Sequence, residues 1–228
     1  MNSSAVFIQV RLSSQRLPGK ALLPLAGYSV ITHTMRALAE LPVDHYVLLT
    51  DGESAPRLRE EAASSGYQVF VGDPDDVLYR YVAAARHYDV AQIIRATGDN
   101  PLTSSTMARQ AMQLQESTDA DYAGITGTPY GTGVEVVKTA ALADLHSLTT
   151  DGYDREHVTP GLYRRQDRYT IVTRPAPAAL QLPEMRVTLD TVEDYHYIAG
   201  IYRDLYRGKP IGIAELIAYG QRQHVHSA

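Results

Sequence analysis

Four short apolar runs, at residues 5–10, 46–50, 67–71 and 91–96, alternate with stretches of helical spacing through the first part of the chain. Each run is too short for a buried helix and is rich in Val, Ile and Leu, the pattern of a strand buried on both faces. Between them, residues 29–40 place Ile31, Met35, Leu38 and Ala39 on one side of a helix. Residues 56–65 open on Pro56 and close at Gly66, and residues 75–87 open on Asp75 and Asp76, both good helix signals. Strands joined by helices run parallel, with right-handed crossovers. The alternation therefore predicts an α/β fold: a doubly wound, mostly parallel sheet with helices on both faces.

The second half is less regular. Spacing predicts helices at 103–116, 191–206 and 213–221, strands at 122–125, 134–137, 169–172 and 185–189, and a frayed end at 222–228. No linker, repeat or low-complexity tract interrupts the chain, so residues 1–228 are expected to form one domain.

Open α/β sheets bind ligands beyond the carboxyl ends of their strands, so the residues there come first. The first strand runs into Val10-Arg11-Leu12-Ser13-Ser14-Gln15-Arg16-Leu17-Pro18-Gly19-Lys20. Two guanidinium forks and an ammonium, with hydroxyls at Ser13 and Ser14 and a permissive Gly19, suit a polyanion with phosphate oxygens. A solvated basic loop is the plainer alternative. Neither G-x-x-x-x-G-K-[ST] nor G-x-G-x-x-G is present, which excludes the ordinary phosphate-binding and dinucleotide-binding turns. The fourth strand ends in Arg95-Ala96-Thr97-Gly98-Asp99-Asn100-Pro101. Asp99 there suits magnesium, which takes one or two carboxylates and completes its shell with phosphate and water, and it equally suits a turn cap. Asp190 precedes Thr191 and Asp194, which read as a capping box that leaves Asp190 itself unexplained. Arg80, one turn after Asp76, suits a local pair with it. Tyr130-Gly131-Thr132-Gly133 suits either close backbone approach to a ligand or a hairpin turn.

Composition narrows the partners. A net charge of −5 and a pI of about 5.9 argue against a nucleic-acid binder with a broad basic face. With no cysteine, disulfides, thiolate metal sites and a cysteine nucleophile are excluded. No signal peptide or membrane-spanning run is apparent, so a cytoplasmic protein away from the membrane is expected. Tyrosine replaces the other aromatics, 16 Tyr against 2 Phe and no Trp, which suits half-buried hydroxyls at a polar pocket or an interface.

The stretch R-x-x-x-x-R-L-P-G-K at residues 11–20 resembles the cytidylyltransferases that make CMP-activated sugar acids, in particular their SpsF-like branch. R-x-T-x-D-x-P at 95–101, D-T-x-E-D at 190–194, G-x-x-x-D-V-L-x-R at 72–80 and R-E-H-V-T-P at 155–160 extend the resemblance over almost the whole chain. It implies the three-layer, Rossmann-like nucleotide-diphospho-sugar transferase fold and CTP-dependent transfer of CMP with release of pyrophosphate. It implies Asp99 and Asp190 as ligands of Mg2+, with Arg16 and Lys20 beside them as catalytic residues. Nucleotide contacts are implied for Arg11, Ser13, Arg16, Lys20, Arg95 and Thr97, although Arg95 also suits a pair with a nearby carboxylate. Thr50-Asp51 matches the turn toward the base and ribose. Tyr130, Arg155 and His157 are the expected acceptor contacts. The acceptor is a small anion, either a phosphonate such as 2-aminoethylphosphonate, toward which the reading tilts slightly, or a sugar acid such as a 3-deoxy-ulosonate or a sialic acid. A homodimer is expected. The rival readings are a transferase using UTP, GTP or ATP, which would typically open on a Gly-rich loop, and a nucleotide-binding protein without catalysis.

Overall fold

A computed structural model describes residues 3–226. In chain order the elements are β1 (Ser4–Gln9), a small hairpin of β2 (Pro24–Leu25) and β3 (Tyr28–Ser29), α1 (Val30–Leu38), β4 (His45–Thr50), α2 (Ala55–Ser64), β5 (Gln68–Val71), α3 (Val77–His87) and β6 (Gln92–Thr97). There follow α4 (Ser105–Thr118), β7 (Tyr122–Thr126), β8 (Glu135–Lys138), α5 (Thr139–Leu148), α6 (Gly152–His157), α7 (Pro160–Tyr163), β9 (Ile171–Pro175), α8 (Val192–Leu205) and α9 (Ile213–His226).

Seven strands form one sheet in the order β5-β4-β1-β6-β8-β7-β9. Only β8 runs against the rest, pairing antiparallel with both β6 and β7. The alternation of β1 shows why helices must cover both faces. Ala5 and Phe7 pack with Leu78, Tyr81 and Val82 of α3 and Leu142 and Leu145 of α5. Val6 and Ile8 pack on the other face with Ile31, Met35 and Leu38 of α1 and Ala108 and Ala111 of α4. Successive strand residues point to opposite faces, so a run apolar throughout needs two covers. The α/β expectation holds in this Rossmann-like sheet.

The structure adds the β2–β3 hairpin and α6, which the sequence reading lacked, and differs from that reading elsewhere. Residues 185–189 are extended but join no ladder; one isolated parallel bridge links Arg186 to Tyr130. Their alternation serves a different packing, with Met185, Val187 and Leu189 buried among α8, α9 and Val30. Residues 139–148, read as no element, form α5; an Ala- and Leu-rich stretch is a strong helix former, and Leu142 and Leu145 bury fully. Helix α9 continues to His226, so residues 222–226 are helical rather than frayed, and residues 227–228 lie outside the described residues.

Candidate active site

Parallel pairing of β1 with β6 sets Gln9 opposite Thr97, so the two strands deliver their following loops to one edge. Gly98 makes the approach possible. A Cβ there would lie 2.7 Å from Ile31 Cδ1 and 2.8 Å from Val10 Cβ. The 10–20 loop is folded by its own backbone: Gly19 N donates to Leu12 O at 3.0 Å, with Gly19 in the left-handed region. Leu12 N donates to Ser54 Oγ at 3.0 Å, and Asp51, buried, accepts from Ser54 N at 2.7 Å. Asp51 thus supports the loop, and it also lines a side pocket of about 360 Å3 with Arg11, Ser13, Pro74 and Asp75.

Lys20 lies at the centre. Its ammonium, on a residue 9% exposed, donates to Asp99 Oδ2 at 2.6 Å, Leu189 O at 2.7 Å and Asp190 Oδ1 at 2.9 Å. Arg16 reaches Asp190 Oδ1 at 3.0 Å and Arg186 reaches Asp190 Oδ2 at 2.7 Å. Partial burial pushes the Asp190 carboxyl up, but Lys20, with Arg16 and Arg186, outweighs it and holds the group below the ordinary aspartate range. The extended strap delivers Asp190: Leu189 N donates to Asp99 O at 3.1 Å, which clamps the two acids together. Thr191 and Asp194 form the anticipated capping box at the start of α8; Asp190 N also donates to Asp194 Oδ2 at 2.9 Å, and only the Asp190 carboxylate is left out of it.

Two cavities meet here. One, of about 710 Å3, is lined by the loop, including Arg11, Ser13, Arg16 and Lys20. The other, of about 630 Å3, is lined by the 126–135 segment, the strap residues Arg186, Thr188 and Asp190, and Tyr153 and Tyr163. Gln9, Thr97, Asp99, His157 and Asp190 line both, so the two acids stand on the shared wall.

The remaining anticipated residues are distributed unevenly. Thr97 lines both cavities and its hydroxyl accepts from Asn100 Nδ2 at 2.7 Å. Tyr130, exposed at 62%, stands in the second cavity. Gly131 has φ of 104°, and a Cβ there would lie 2.9 Å from Thr188 Cγ2, so the loop can seat against the strap only through glycine. The His157 ring packs against Tyr153, tilted by 50° with centroids 4.2 Å apart. Next to it Val158, fully buried, has φ of 75° and ψ of −59°, with Thr159 N donating to His157 O. That is a strained three-residue turn for a β-branched side chain, a kind of strain that concentrates at functional sites.

Two arginines are committed elsewhere. Arg155 lies outside both cavities; its guanidinium pairs with Asp76 Oδ2 and donates to Thr149 O at 3.0 Å, tying α6 to the N-terminus of α3. The expected acceptor contact at Arg155 is therefore replaced by a structural one. Arg95 borders the second cavity, but its two terminal nitrogens donate to Glu135, to Gln9 Oε1 at 3.0 Å and to His157 O at 3.2 Å, and its Nε is buried without a partner among the described residues. Of its two sequence readings, the structure matches the carboxylate pair. Arg80 does not pair with Asp76 through its side chain; fully buried, it donates to Asp73 O at 2.9 Å and to Pro74 O at 3.1 Å. Asp76 instead caps α3 at Tyr79 N, 2.8 Å away.

Glu135 and Arg186 were not anticipated. Glu135 accepts from Arg95, Tyr163, Tyr122 and Thr159. Burial pushes its carboxyl up, and Arg95 with the hydroxyl donors more than offsets this, holding it below the usual glutamate range. A lone acid at the start of an apolar strand was the available signal. Arg186 was hidden by reading 185–189 as a sheet strand.

Comparison with known proteins gives the family. A cytidylyltransferase family profile matches residues 5–213. The spore coat polysaccharide biosynthesis protein SpsF of Bacillus subtilis is 32% identical over 225 residues, covering 95% of this chain and 93% of its own. A 3-deoxy-manno-octulosonate cytidylyltransferase of Aeromonas hydrophila is 29% identical over 114 residues, 47% of this chain and 45% of its own. Among solved structures, a cytidylyltransferase from Leptospira borgpetersenii superposes with a TM-score of 0.91 at 24% identity, covering 99% of this chain and 96% of that one. A CMP:2-keto-3-deoxy-manno-octonic acid synthetase complexed with CTP gives a TM-score of 0.71 at 15% identity, over 89% of this chain and 99% of that one. With its fold and the paired acids on the sheet's carboxyl edge, the chain belongs to the cytidylyltransferase family and is a nucleotidyltransferase enzyme. Within that family it is similar to SpsF along nearly its whole length. No helix among the described residues is long and apolar enough to cross a membrane.

Proposed function

We propose that the protein transfers CMP from CTP to a polyhydroxylated anionic acceptor, a sugar acid, with Mg2+ as cofactor. The observation that carries this is the position of Asp99 and Asp190 on the wall between two cavities. The first cavity has the cationic loop for a triphosphate. The second presents hydroxyls from Thr126, Thr128, Tyr130 and Tyr153. A polyol can match that lining. A small phosphonate brings few or no hydroxyls to match it, so the slight tilt of the sequence reading toward a phosphonate gives way to a sugar acid.

In this reading an acceptor hydroxyl attacks the α-phosphorus and loses its proton to solvent; the new oxygen–phosphorus bond forms as the bond from the α-phosphorus to the oxygen bridging to the β-phosphate breaks, and pyrophosphate leaves. Such a displacement needs positioning and charge stabilisation more than covalent help from the protein. Arg11 and Arg16 hold the triphosphate, and the freed pyrophosphate leaves into the field of Arg16 and Lys20. Ser13 and Thr97 supply hydrogen bonds, and His157 orients the acceptor from the shared wall. The residues present fit magnesium: two carboxylates and the Leu189 carbonyl, all hard oxygens, converge on the Lys20 ammonium and so on a site for positive charge. Held by Asp99 and Asp190, Mg2+ supplies charge neutralisation at the phosphates. The same reading carries with it a cytoplasmic, single-domain protein acting as a homodimer.

Pyrophosphate release with 3-deoxy-manno-octulosonate and each of CTP, UTP, GTP and ATP tests the nucleotide and the metal. Turnover with CTP is expected to exceed the others by about 100-fold or more, a difference available from one well-read polar edge, and EDTA is expected to abolish it. Comparable use of a second nucleotide, or turnover indifferent to EDTA, would overturn the reading.

A further inference from the structure

Arg186 sits in the second cavity because the strap alternates: Met185, Val187 and Leu189 are buried among α8 and α9, while Arg186, Thr188 and Asp190 line the cavity. Its backbone is pinned on both sides. Tyr130 N donates to Met185 O at 2.8 Å and Val187 N donates to Tyr130 O at 2.8 Å. Its guanidinium lies over the Tyr130 ring, 5.1 Å from the centroid. One nitrogen donates to Asp190 Oδ2 at 2.7 Å. A guanidinium has five N–H donors, and no other acceptor among the described residues takes the rest.

The competing cations are spent. Arg95 and Arg186 are the Arg and Lys residues that line this cavity, and Arg95 is held by Glu135, Gln9 and the His157 carbonyl. Arg155 is turned to Asp76 and Thr149. An acceptor anion entering here meets one guanidinium with donors to spare, lying over Tyr130 and joined to the acid beside the reacting centre.

We propose that Arg186 is the residue that binds the acceptor's oxyanion and so sets the enzyme's preference for acidic acceptors. The inference rests on the reading of the second cavity as the acceptor site. Its planar fork takes two oxygens of a carboxylate or a phosphonate, and the contact to Asp190 registers that anion against the carboxylates on the shared wall. Tyr130 acts as its platform.

Kinetics with 3-deoxy-manno-octulosonate, its neutral carboxamide and 2-aminoethylphosphonate test it, using the wild type, Arg186→Ala and Arg186→Lys. The wild type is expected to favour the acid over its amide by about 100-fold in kcat/KM, within the range of hydrogen bonding to a charged group. In Arg186→Ala the acid KM should rise about 100-fold and the amide KM far less, so that the acid-over-amide ratio collapses, and CTP KM should hold. Lysine should recover only part of the preference, because it offers a point charge where a fork is needed. If Arg186→Ala keeps the acid-over-amide ratio, the assignment is wrong. If CTP KM and acid KM rise together, Arg186 acts only by holding Asp190, and the assignment is again wrong. If the wild type uses only 2-aminoethylphosphonate, the sugar-acid reading fails, while a 100-fold loss on that substrate in Arg186→Ala would still support the oxyanion role.

Discussion

Replacing Lys20 by methionine is expected to lower turnover by about 100- to 1000-fold while leaving a folded protein, the usual cost of removing one preorganised charge from a transition state. The same variant should change how the resting protein meets metal. In the wild type the Lys20 ammonium lies within 2.9 Å of both Asp99 and Asp190, so the carboxylates are already neutralised. Methionine leaves two carboxylates facing each other without their central cation. Millimolar Mg2+ without nucleotide should then raise the melting temperature of Lys20→Met by several degrees and the wild type by little, since a ligand stabilises only as far as it binds the folded state. Differential scanning fluorimetry reads the stability and pyrophosphate release reads the turnover. Equal stabilisation of both proteins, or normal turnover by the variant, would remove Lys20 from the position assigned to it.

Glu135→Leu should be the most damaging single change to stability near the site. The carboxylate and the Arg95 guanidinium are mostly buried, with side-chain exposures of 21% and 13%. Removing one partner leaves the other as an uncompensated buried charge, at a cost of about 3 kcal/mol or more. It also strips an acceptor from Tyr122, Tyr163 and Thr159. A chain of this size should lose roughly 6–12 °C in melting temperature. The double variant Glu135→Leu/Arg95→Met should recover much of that loss, because both charges leave together. Chemical denaturation of the two single variants and the double variant gives the coupling directly. A double variant no more stable than Glu135→Leu would show that burial of Arg95 is not the source of the cost.

Much of this arrangement was legible in the residues, for reasons that differ from place to place. The strands β1, β4, β5 and β6 announce themselves because apolar runs between helical spacings have few other solutions. The loop at 10–20 and Asp99 could be placed together because both follow strands of one parallel sheet, which deliver their ends to one edge. Asp190 stood out because the capping box accounted for Thr191 and Asp194 and left it over. What stayed hidden depends on tertiary pairing. The alternation of residues 185–189 is that of a strand, yet the partner is one residue of the Tyr130 loop, and so the meaning of Arg186 was invisible. Arg155 and Arg95 looked like ligand contacts because spacing cannot show a carboxylate brought from far along the chain: Asp76 for the first, Glu135 for the second. The strained turn at Val158 has no sequence signature either, since a valine there gives no hint of positive φ.

The acceptor class is best tested by initial rates of pyrophosphate release from CTP and Mg2+ with 3-deoxy-manno-octulosonate, a sialic acid, 2-aminoethylphosphonate and hydroxyethylphosphonate, each alone and in pairwise competition. The hydroxyl-lined second cavity predicts release with a sugar acid and little inhibition of it by either phosphonate. Release with a phosphonate alone, undiminished by both sugar acids, would contradict the account.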